Sequence, residues 1–332
     1  MGDYYPSLRE LKQLSGENKS SLTKNISQIV PGFLARTDKG DVDEVLDKLN
    51  QLNVDGKHDG LISRLKSVSD LSPQLYDEFL DNPNSIGNWF GEIAQANKRS
   101  NNPFKLPETL IWRLPIEVAQ FIRIEYTETT QKSKDLFNDM IFKAFNLSDD
   151  KEYFIKTGTF SSKFEFRNAH IIKGEAKEMG EYFQVINNFG MTLGAGHSVE
   201  LCVREYIEDI EGNPTIYSGM PLRTEFRAFV DFDCDEIIGI VPYWNPLVMK
   251  KVLGSEFAPG TIKKDYNVYC KHEDKLMRDF NNYLPIVKRK LNSLIPFVDL
   301  KGKYSVDIMK NGEDLYLIDM ATMESSALTE LL

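Results

Sequence analysis

Residues 153–168 read YFIKTGTFSSKFEFRN. Tyr153, Phe154 and Ile155 form a short apolar run of strand type that closes on Lys156. Small and hydroxyl-bearing residues follow, Thr157-Gly158-Thr159-Phe160-Ser161-Ser162, and then a second cation, Lys163. Such a loop turns backbone N–H groups and two ammonium groups toward one spot, which suits a polyphosphate. A lysine closing an apolar strand is also the ordinary exit of a chain to solvent, and the GxxxxGK(S/T) phosphate loop is absent. The stretch gains weight from three later segments: VREYIED at 203–209, RTEFRAFVDF at 223–232 and YSVDIMKNGEDLYLIDM at 304–320.

The surrounding chain sets bounds on the reading. With 332 residues it is long enough for one large domain or two to three modest ones with a sizeable core. Hydrophobic residues make up 41% and charged residues 27%, as in ordinary globular proteins. A formal net charge of -10 argues against a nonspecific grip on nucleic acid. Cys202, Cys234 and Cys270 are far apart and form no CxxC pair, which suggests reduced thiols and a cytoplasmic protein. Cys202 and Cys234 are expected to be buried as small hydrophobes. His58, His170, His197 and His272 have no metal-ligand spacing, so no zinc site is expected. The start, MGDYYPSLRE, carries no apolar run of the signal-peptide kind, and no stretch approaches a membrane span.

Residues 1–103 read as a helical, acidic region. Val42, Val45, Leu46 and Leu49 recur at helical spacing behind Asp41, with Glu44 completing a capping box. Residues 53–60 are a loop. Ser72 before Pro73 starts a helix through Leu75, Phe79 and Leu80, which the NPN at 82–84 stops. A further helix covers 89–96, and NKRSNNP at 97–103 has linker composition, marking a domain boundary. Beyond it come a strand near 110–114, a helix from about Pro115, and a helix over 134–145 with Leu136, Met140, Ile141 and Phe145 on one face. From 151 the pattern turns to strands, at 153–156, 199–207, 224–231 and 237–241. A long amphipathic helix then covers 274–294, and strands at 303–309 and 315–320 close the chain. Mixed elements of this kind predict an α+β fold with mostly antiparallel sheet.

Within RTEFRAFVD, strand alternation puts Arg223, Glu225 and Arg227 on one face. Charges on a strand face are often simply solvated, but a guanidinium fork also fits phosphate oxygens. Asp307 lies inside an alternating strand and Asp319 near the end of the next, with Asn311-Gly312 as the turn. Parity decides their relationship. A two-residue loop at 311–312 pairs 307 with 316 and sends the aspartates to opposite faces. An odd loop such as 311–313 pairs 305 with 319 and makes them diagonal neighbours, about 7 Å apart at Cβ and able to share Mg²⁺. Both could instead sit at a solvated edge. VREYIED could hold adenine through its backbone and ribose through a carboxylate.

In this order, over roughly the second half of the chain, these segments resemble the ATP-grasp superfamily. They most resemble the cell division cycle 123 family, assembly chaperones for translation initiation factor 2, and also phage and bacterial ATP-grasp proteins. The points of contact are Lys156 with Ser161, Ser162 and Lys163; Arg204-Glu205; Glu225-Phe226-Arg227; Ile238-Gly239-Ile240; Asp307; and Ile318-Asp319. The resemblance implies an ATP-grasp fold of two α+β lobes, over 104–203 and 204–332, preceded by the helical region 1–103, with ATP between the lobes. It implies that Lys156, Ser161, Ser162 and Lys163 hold phosphates and that Glu205, Tyr206 and Ile207 line the nucleoside. Glu225 would stand near the nucleotide, Arg227 and Lys163 would act on the transferred phosphoryl group, and Asp307, Asp319 and Glu324 would bind Mg²⁺. One position departs from the pattern. A ligand such as Asn usually stands two residues past the second acid, and here that residue is Ala321, with Glu324 the nearest substitute.

The implied activity is that of an ATP- and Mg²⁺-dependent ligase, which activates a carboxylate as an acyl phosphate for attack by an amine. A protein or peptide is one candidate substrate. The departure at Ala321 and the helical first third keep a different class in play, an assembly factor that binds ATP with little or no turnover. A further alternative is a nucleotidyl-transferring nucleic-acid ligase adenylated on Lys156, with IIGIV at 237–241 and Lys250-Lys251 as later motifs. Against it, the lysine-x-acid-glycine spacing is missing, because Gly158 comes only two residues after Lys156.

Overall fold

The computed structural model describes residues 6–15, 50–51, 56, 59–254 and 259–332. The expected helix behind Asp41 and most of the expected loop at 53–60 lie outside the described residues. In chain order the helices and strands begin with α1 Leu8–Ser15, α2 Asp59–Val68, α3 Pro73–Leu80, α4 Ile86–Arg99, β1 Thr109–Arg113, α5 Ile116–Arg123 and α6 Gln131–Ala144. Then come β2 Tyr153–Thr157, α7 Phe166–Ala169, β3 His170–Ile171, α8 Met179–Leu193, β4 Glu200–Glu205, β5 Thr215–Ile216 and β6 Met220–Pro221. The rest are β7 Glu225–Asp231, β8 Glu236–Pro242, α9 Pro246–Leu253, α10 Gly260–Leu294, β9 Lys303–Asn311 and β10 Asp314–Thr322. The strands form one sheet in the order β1-β4-β2-β3, a second in the order β10-β9-β7-β8, and a small β5-β6 pair. Every pair in the second sheet is antiparallel. The chain is therefore α+β, with helices preceding the sheets. Among the described residues no helix is long and apolar enough to cross a membrane.

The chain divides into two compact units. One takes Ile86–Thr109 and Glu205–Leu332, the other Tyr4–Ser85 and Leu110–Arg204. The chain therefore changes units near 85, 109 and 204, not at the expected linker 97–103. That stretch is polar because it ends a helix. Asn97, in the last turn of α4, is buried; its amide donates to the Phe104 carbonyl at 2.9 Å and its oxygen accepts from the Phe104 N–H at 3.2 Å. Asn101 and Asn102 then take the left-handed conformation that asparagine tolerates.

In the unit containing β2, α8 is the central element. Met179, Tyr182, Phe183, Val185 and Ile186 are almost fully buried, and so are Gln184 and Asn187 on its other sides. A helix buried all round shows no amphipathic stripe, which is why no period announces it. It comes close to α6 at Gly180, where a Cβ would lie 2.8 Å from the Asn138 Oδ1 and 3.0 Å from the Asn138 N. The α6 face turned inward carries Phe137 and Ile141 with Lys134 and Asn138, whereas Leu136, expected on that face, is 64% exposed. Upstream, the Ser72 hydroxyl caps α3 by accepting from the Leu75 N–H at 3.2 Å, with Pro73 in the first turn.

In the other unit, one face of the β10-β9-β7-β8 sheet presents Phe226, Ala228, Val230, Val306 and Ile308, all buried. Phe226 stacks on Phe280 of α10 at 5.0 Å between ring centroids. α10 begins at Gly260, well before the expected start at 274, because Ile262, Asp265 and Tyr269 continue its buried stripe without a break. On the opposite face Phe229 packs with Val241 and Leu328, beside Met323 and Leu331 of the C-terminal segment. A Cβ on Gly239 would fall 2.5 Å from the Leu332 Cδ2, the tip of a side chain that is itself exposed. Cys202 is buried as expected, but Cys234 sits in the exposed turn between β7 and β8.

Candidate functional site

Three charged residues stand in one row across three strands. Arg227 of β7 is the direct partner of Asp307 on β9, and Asp307 is the direct partner of Asp319 on β10. The second pairing has a specific cause. The β9–β10 turn leaves Gly312 and Glu313 between the partners Asn311 and Asp314, and pairing runs regularly to Leu317 opposite Ile308. Continued unbroken, this register would set 307 opposite 318 and put Asp319 on the far face. A bulge between Leu317 and Asp319 inserts Ile318 as an extra residue and brings Asp319 opposite Asp307. The turn has two residues, one of the lengths considered from the sequence, but it falls at 312–313 instead of 311–312, and with the bulge the aspartates are directly opposed, neither on opposite faces nor diagonal. Cβ atoms of directly opposed residues lie about 4.5–5.5 Å apart.

Arg227 and Asp307 form a fork-to-fork ion pair. The Arg227 Nε donates to the Asp307 Oδ1 at 2.8 Å and its Nη2 donates to Oδ2 at 2.7 Å. The side chains are only 12% and 10% exposed. The Arg227 Nη1 donates to the Ala327 carbonyl at 3.2 Å, and the guanidinium lies 4.7 Å from the centre of the Tyr243 ring. Burial by itself would lower the Arg227 pKa; the Asp307 carboxylate, with Asp319 and Glu225, more than offsets this and holds it above its ordinary value. Glu225 is two positions before Arg227 on the same strand face.

The segment after β4 is tied to this sheet. The Glu205 N–H donates to the Glu108 carbonyl at 3.1 Å. Buried Arg223 is not a member of the strand: its Nη2 donates to the Ile207 carbonyl and its Nε to Asp209 at 3.2 Å. Asn311 donates to the Glu208 carbonyl at 2.9 Å and accepts from the Ile210 N–H at 3.2 Å. Glu211 then accepts from Lys275 at 2.7 Å, from the Gly312 N–H at 2.8 Å and from Lys310. Burial opposes ionisation of Glu211, but the two ammonium groups and the amide hold its pKa down at about 2. Glu205, Tyr206 and Ile207 are thus presented on a braced segment, with the Ile207 carbonyl already engaged. Arg223 was legible as a charge, while Asn311 and Glu211 carried no signal beyond turn composition.

The residues read from 153–168 form a second group, in the β2 unit. Lys156 does not mark an exit to solvent: it is 2% exposed and β2 runs on to Thr157. The loop is then folded on itself, with the Thr157 N–H donating to the Phe160 carbonyl at 2.9 Å and the Phe160 N–H to the Thr157 hydroxyl at 3.2 Å. Its back is fastened too: the Gly158 N–H donates to the Glu200 carbonyl at 2.9 Å and the Thr159 hydroxyl to the Ala195 carbonyl at 2.8 Å. Under Gly158 the Ser85 hydroxyl donates to Glu200 at 2.8 Å and lies 2.9 Å from the Ser198 hydroxyl, and Arg113 donates to Glu200 at 2.8 Å. A Cβ on Gly158 would fall 2.1 Å from the Ser198 oxygen and 2.3 Å from the Ser85 oxygen. Ser162 is fully buried with φ 49°, and its hydroxyl has no hydrogen-bond partner among the described residues. Ser161 and Lys163 flank it, half-buried.

Each group, taken by itself, has donor types that suit one part of a magnesium polyphosphate. Two opposed carboxylates offer the hard oxygen ligands Mg²⁺ takes, and an orphaned buried hydroxyl at the end of a small-residue loop suits a phosphate oxygen. The third expected metal ligand does not join them. Glu324 lies exposed in the 3₁₀ turn Met323–Ser325, and among the described residues no three His, Cys, Asp or Glu side chains gather as a metal site. Ala321 lies opposite Ser305, whose hydroxyl donates to the Ala321 carbonyl at 3.4 Å and accepts from Ser326 at 2.7 Å.

No family model matches the chain, and no curated protein matches it. Among solved structures it is similar to C-terminally truncated Cdc123 from Schizosaccharomyces pombe, with a TM-score of 0.39 and 13% identity over 77% of this chain and 89% of that one. It is also similar to D-alanyl-alanine synthetase A from Vibrio cholerae O1 biovar eltor, with a TM-score of 0.28 and 11% identity over 72% of this chain and 57% of that one. A third likeness is to phosphoribosylglycinamide synthetase from Anaerococcus prevotii, at 0.25 and 11%, over 71% of this chain and 42% of that one. At these scores the likenesses do not assign an activity.

Proposed function

We propose that this protein binds ATP with Mg²⁺ and uses it to activate a carboxylate for attack by an amine. The observation that carries the reading is the Arg227–Asp307–Asp319 row, a phosphate-fitting fork and two metal-fitting acids in adjacent positions of one sheet. In this reading Lys156, Lys163, Ser161 and Ser162 hold the phosphates, and Glu205, Tyr206 and Ile207 hold the nucleoside. Glu225 stands near the nucleotide, and Asp307 and Asp319 hold the metal. Mg²⁺ would neutralise charge on the phosphates during transfer. Arg227 and Lys163 orient the γ-phosphoryl group. The substrate carboxylate oxygen takes that phosphoryl, the bond to ADP breaks, and an amine then displaces phosphate from the acyl carbon. The expected result is ADP release that requires both a carboxylate and an amine in a screen of amino acids and peptides. ATP consumption indifferent to both would refute the ligase reading.

Ala321 and the exposed Glu324 favour a second reading, because they leave the metal with a short set of protein ligands. In it the chain is an assembly factor that binds ATP, returns it unhydrolysed and uses it to shape a surface for a protein partner. Stoichiometric ATP binding with no ADP formed under any substrate pair supports this alternative.

A further inference from the structure

We propose that the Arg227–Asp307 pair is a lock coupling the two ligands of the site. Phosphate must draw off the Arg227 fork before Asp307 can serve a cation, so metal and nucleotide each bind poorly without the other. The inference rests on the Mg·ATP reading above and adds an order to it.

Asp307 occupies the middle of the row, between a cation on β7 and a second acid on β10. It therefore has two possible cationic partners, the guanidinium on one side and a metal held with Asp319 on the other. In the structure both of its oxygens accept from Arg227, at 2.8 and 2.7 Å. A divalent ion arriving alone would meet a neighbouring guanidinium in a site where both side chains are about nine-tenths covered, at 12% and 10% exposure. Screening by water is weak there, and repulsion between the cations is correspondingly strong. The backbones cannot separate to relieve it, because β7 and β9 pair without interruption from Glu225 opposite Met309 to Asp231 opposite Lys303. Release therefore belongs to the side chains. Arg227 keeps other supports, the Ala327 carbonyl at 3.2 Å and the Tyr243 ring at 4.7 Å, so its fork can turn without leaving the sheet. A phosphate is the ligand that rewards this turn, offering the same bidentate geometry as the carboxylate it replaces.

Two titrations of the full chain test the lock. Mn²⁺ alone, followed by the loss of its free-ion EPR signal, should bind Arg227→Gln at least about tenfold more tightly than wild type, a shift of one decade in the dissociation constant. Adding Asp307→Asn should abolish the gain. Metal-free ATP, titrated calorimetrically in EDTA, should bind Asp307→Asn more tightly than wild type, because the fork is then released. Equal Mn²⁺ affinity in wild type and Arg227→Gln, a gain that survives Asp307→Asn, or metal-free ATP affinity unchanged by Asp307→Asn overturns the lock. Should Arg227→Gln fail to fold by circular dichroism, the isosteric Asp307→Asn arm decides. If wild type binds no ATP even with Mg²⁺, the Mg·ATP reading itself falls. If it binds Mg·ATP but these shifts are missing, only the lock is lost.

Discussion

Asp319 lies directly opposite Asp307 because Ile318 is bulged out of the β9–β10 ladder. Without that single extra residue Asp319 would point to the side of the sheet that packs against α10. Directly opposed like charges destabilise a strand pair, and the adjacent Arg227 offsets the cost.

The Arg227–Asp307 pair is mostly buried, so removing one partner strands the other. Arg227→Ala and Asp307→Ala are each expected to destabilise by roughly 3–5 kcal/mol. The double variant should fall short of the sum by about 1–3 kcal/mol. Urea unfolding of the four proteins checks this, and strict additivity would contradict the pairing.

Gly158 has no room for a methyl group above the Ser85 and Ser198 hydroxyls. Gly158→Ala should cost roughly 1–3 kcal/mol by overpacking. Adding Ser85→Ala and Ser198→Ala should return part of that loss, which a thermal-denaturation cycle would register. No coupling between the sites would show that the loop is not seated there.

Glu211 predicts an acid sensitivity of known sign. Its pKa falls from 4.5 to about 2 on folding, so its contribution to stability is fully present above 4.5 and is lost as pH drops toward 2. Glu211→Gln should flatten the stability profile across that window and leave its slope near neutrality unchanged. A profile parallel to wild type between pH 5 and about 2 would refute the assignment.

Arg223 and Asn311 hold the backbone of residues 207–210. Arg223→Gln and Asn311→Ala should each speed amide exchange in that segment, by roughly tenfold for each 1.4 kcal/mol of local stability removed. They should also weaken nucleotide binding, if the segment lines the nucleoside. Exchange unchanged from wild type would mean the segment is held by something else.

The longer strands were legible from apolar or alternating runs, and so were most helices with a polar face; the two-residue strands β3, β5 and β6 and the pairing order within the sheets were not. Ser72-Pro73 and the runs at 153–156 and 237–241 announced themselves by local chemistry. What escaped depends on the partner, not on the stretch itself. α8 is buried on every side and has no stripe, and the first turns of α10 lack a cap signal. Leu136 looked like core because its spacing fits, yet the inward face uses Phe137 and Ile141. The bulge at Ile318 cannot be read from a two-residue turn, although it decides which way Asp319 points. Linker composition at 97–103 misled because asparagines that end a helix resemble asparagines that separate domains.

The most direct test of the central claim is calorimetric titration of ATP with and without Mg²⁺, on wild type and Asp319→Ala. Wild type should bind one ATP per chain with Mg²⁺. Asp319→Ala should lose at least about tenfold in affinity under the same conditions while unfolding within a few degrees of wild type. ATP binding of equal strength in both proteins, or none in wild type, would contradict the account.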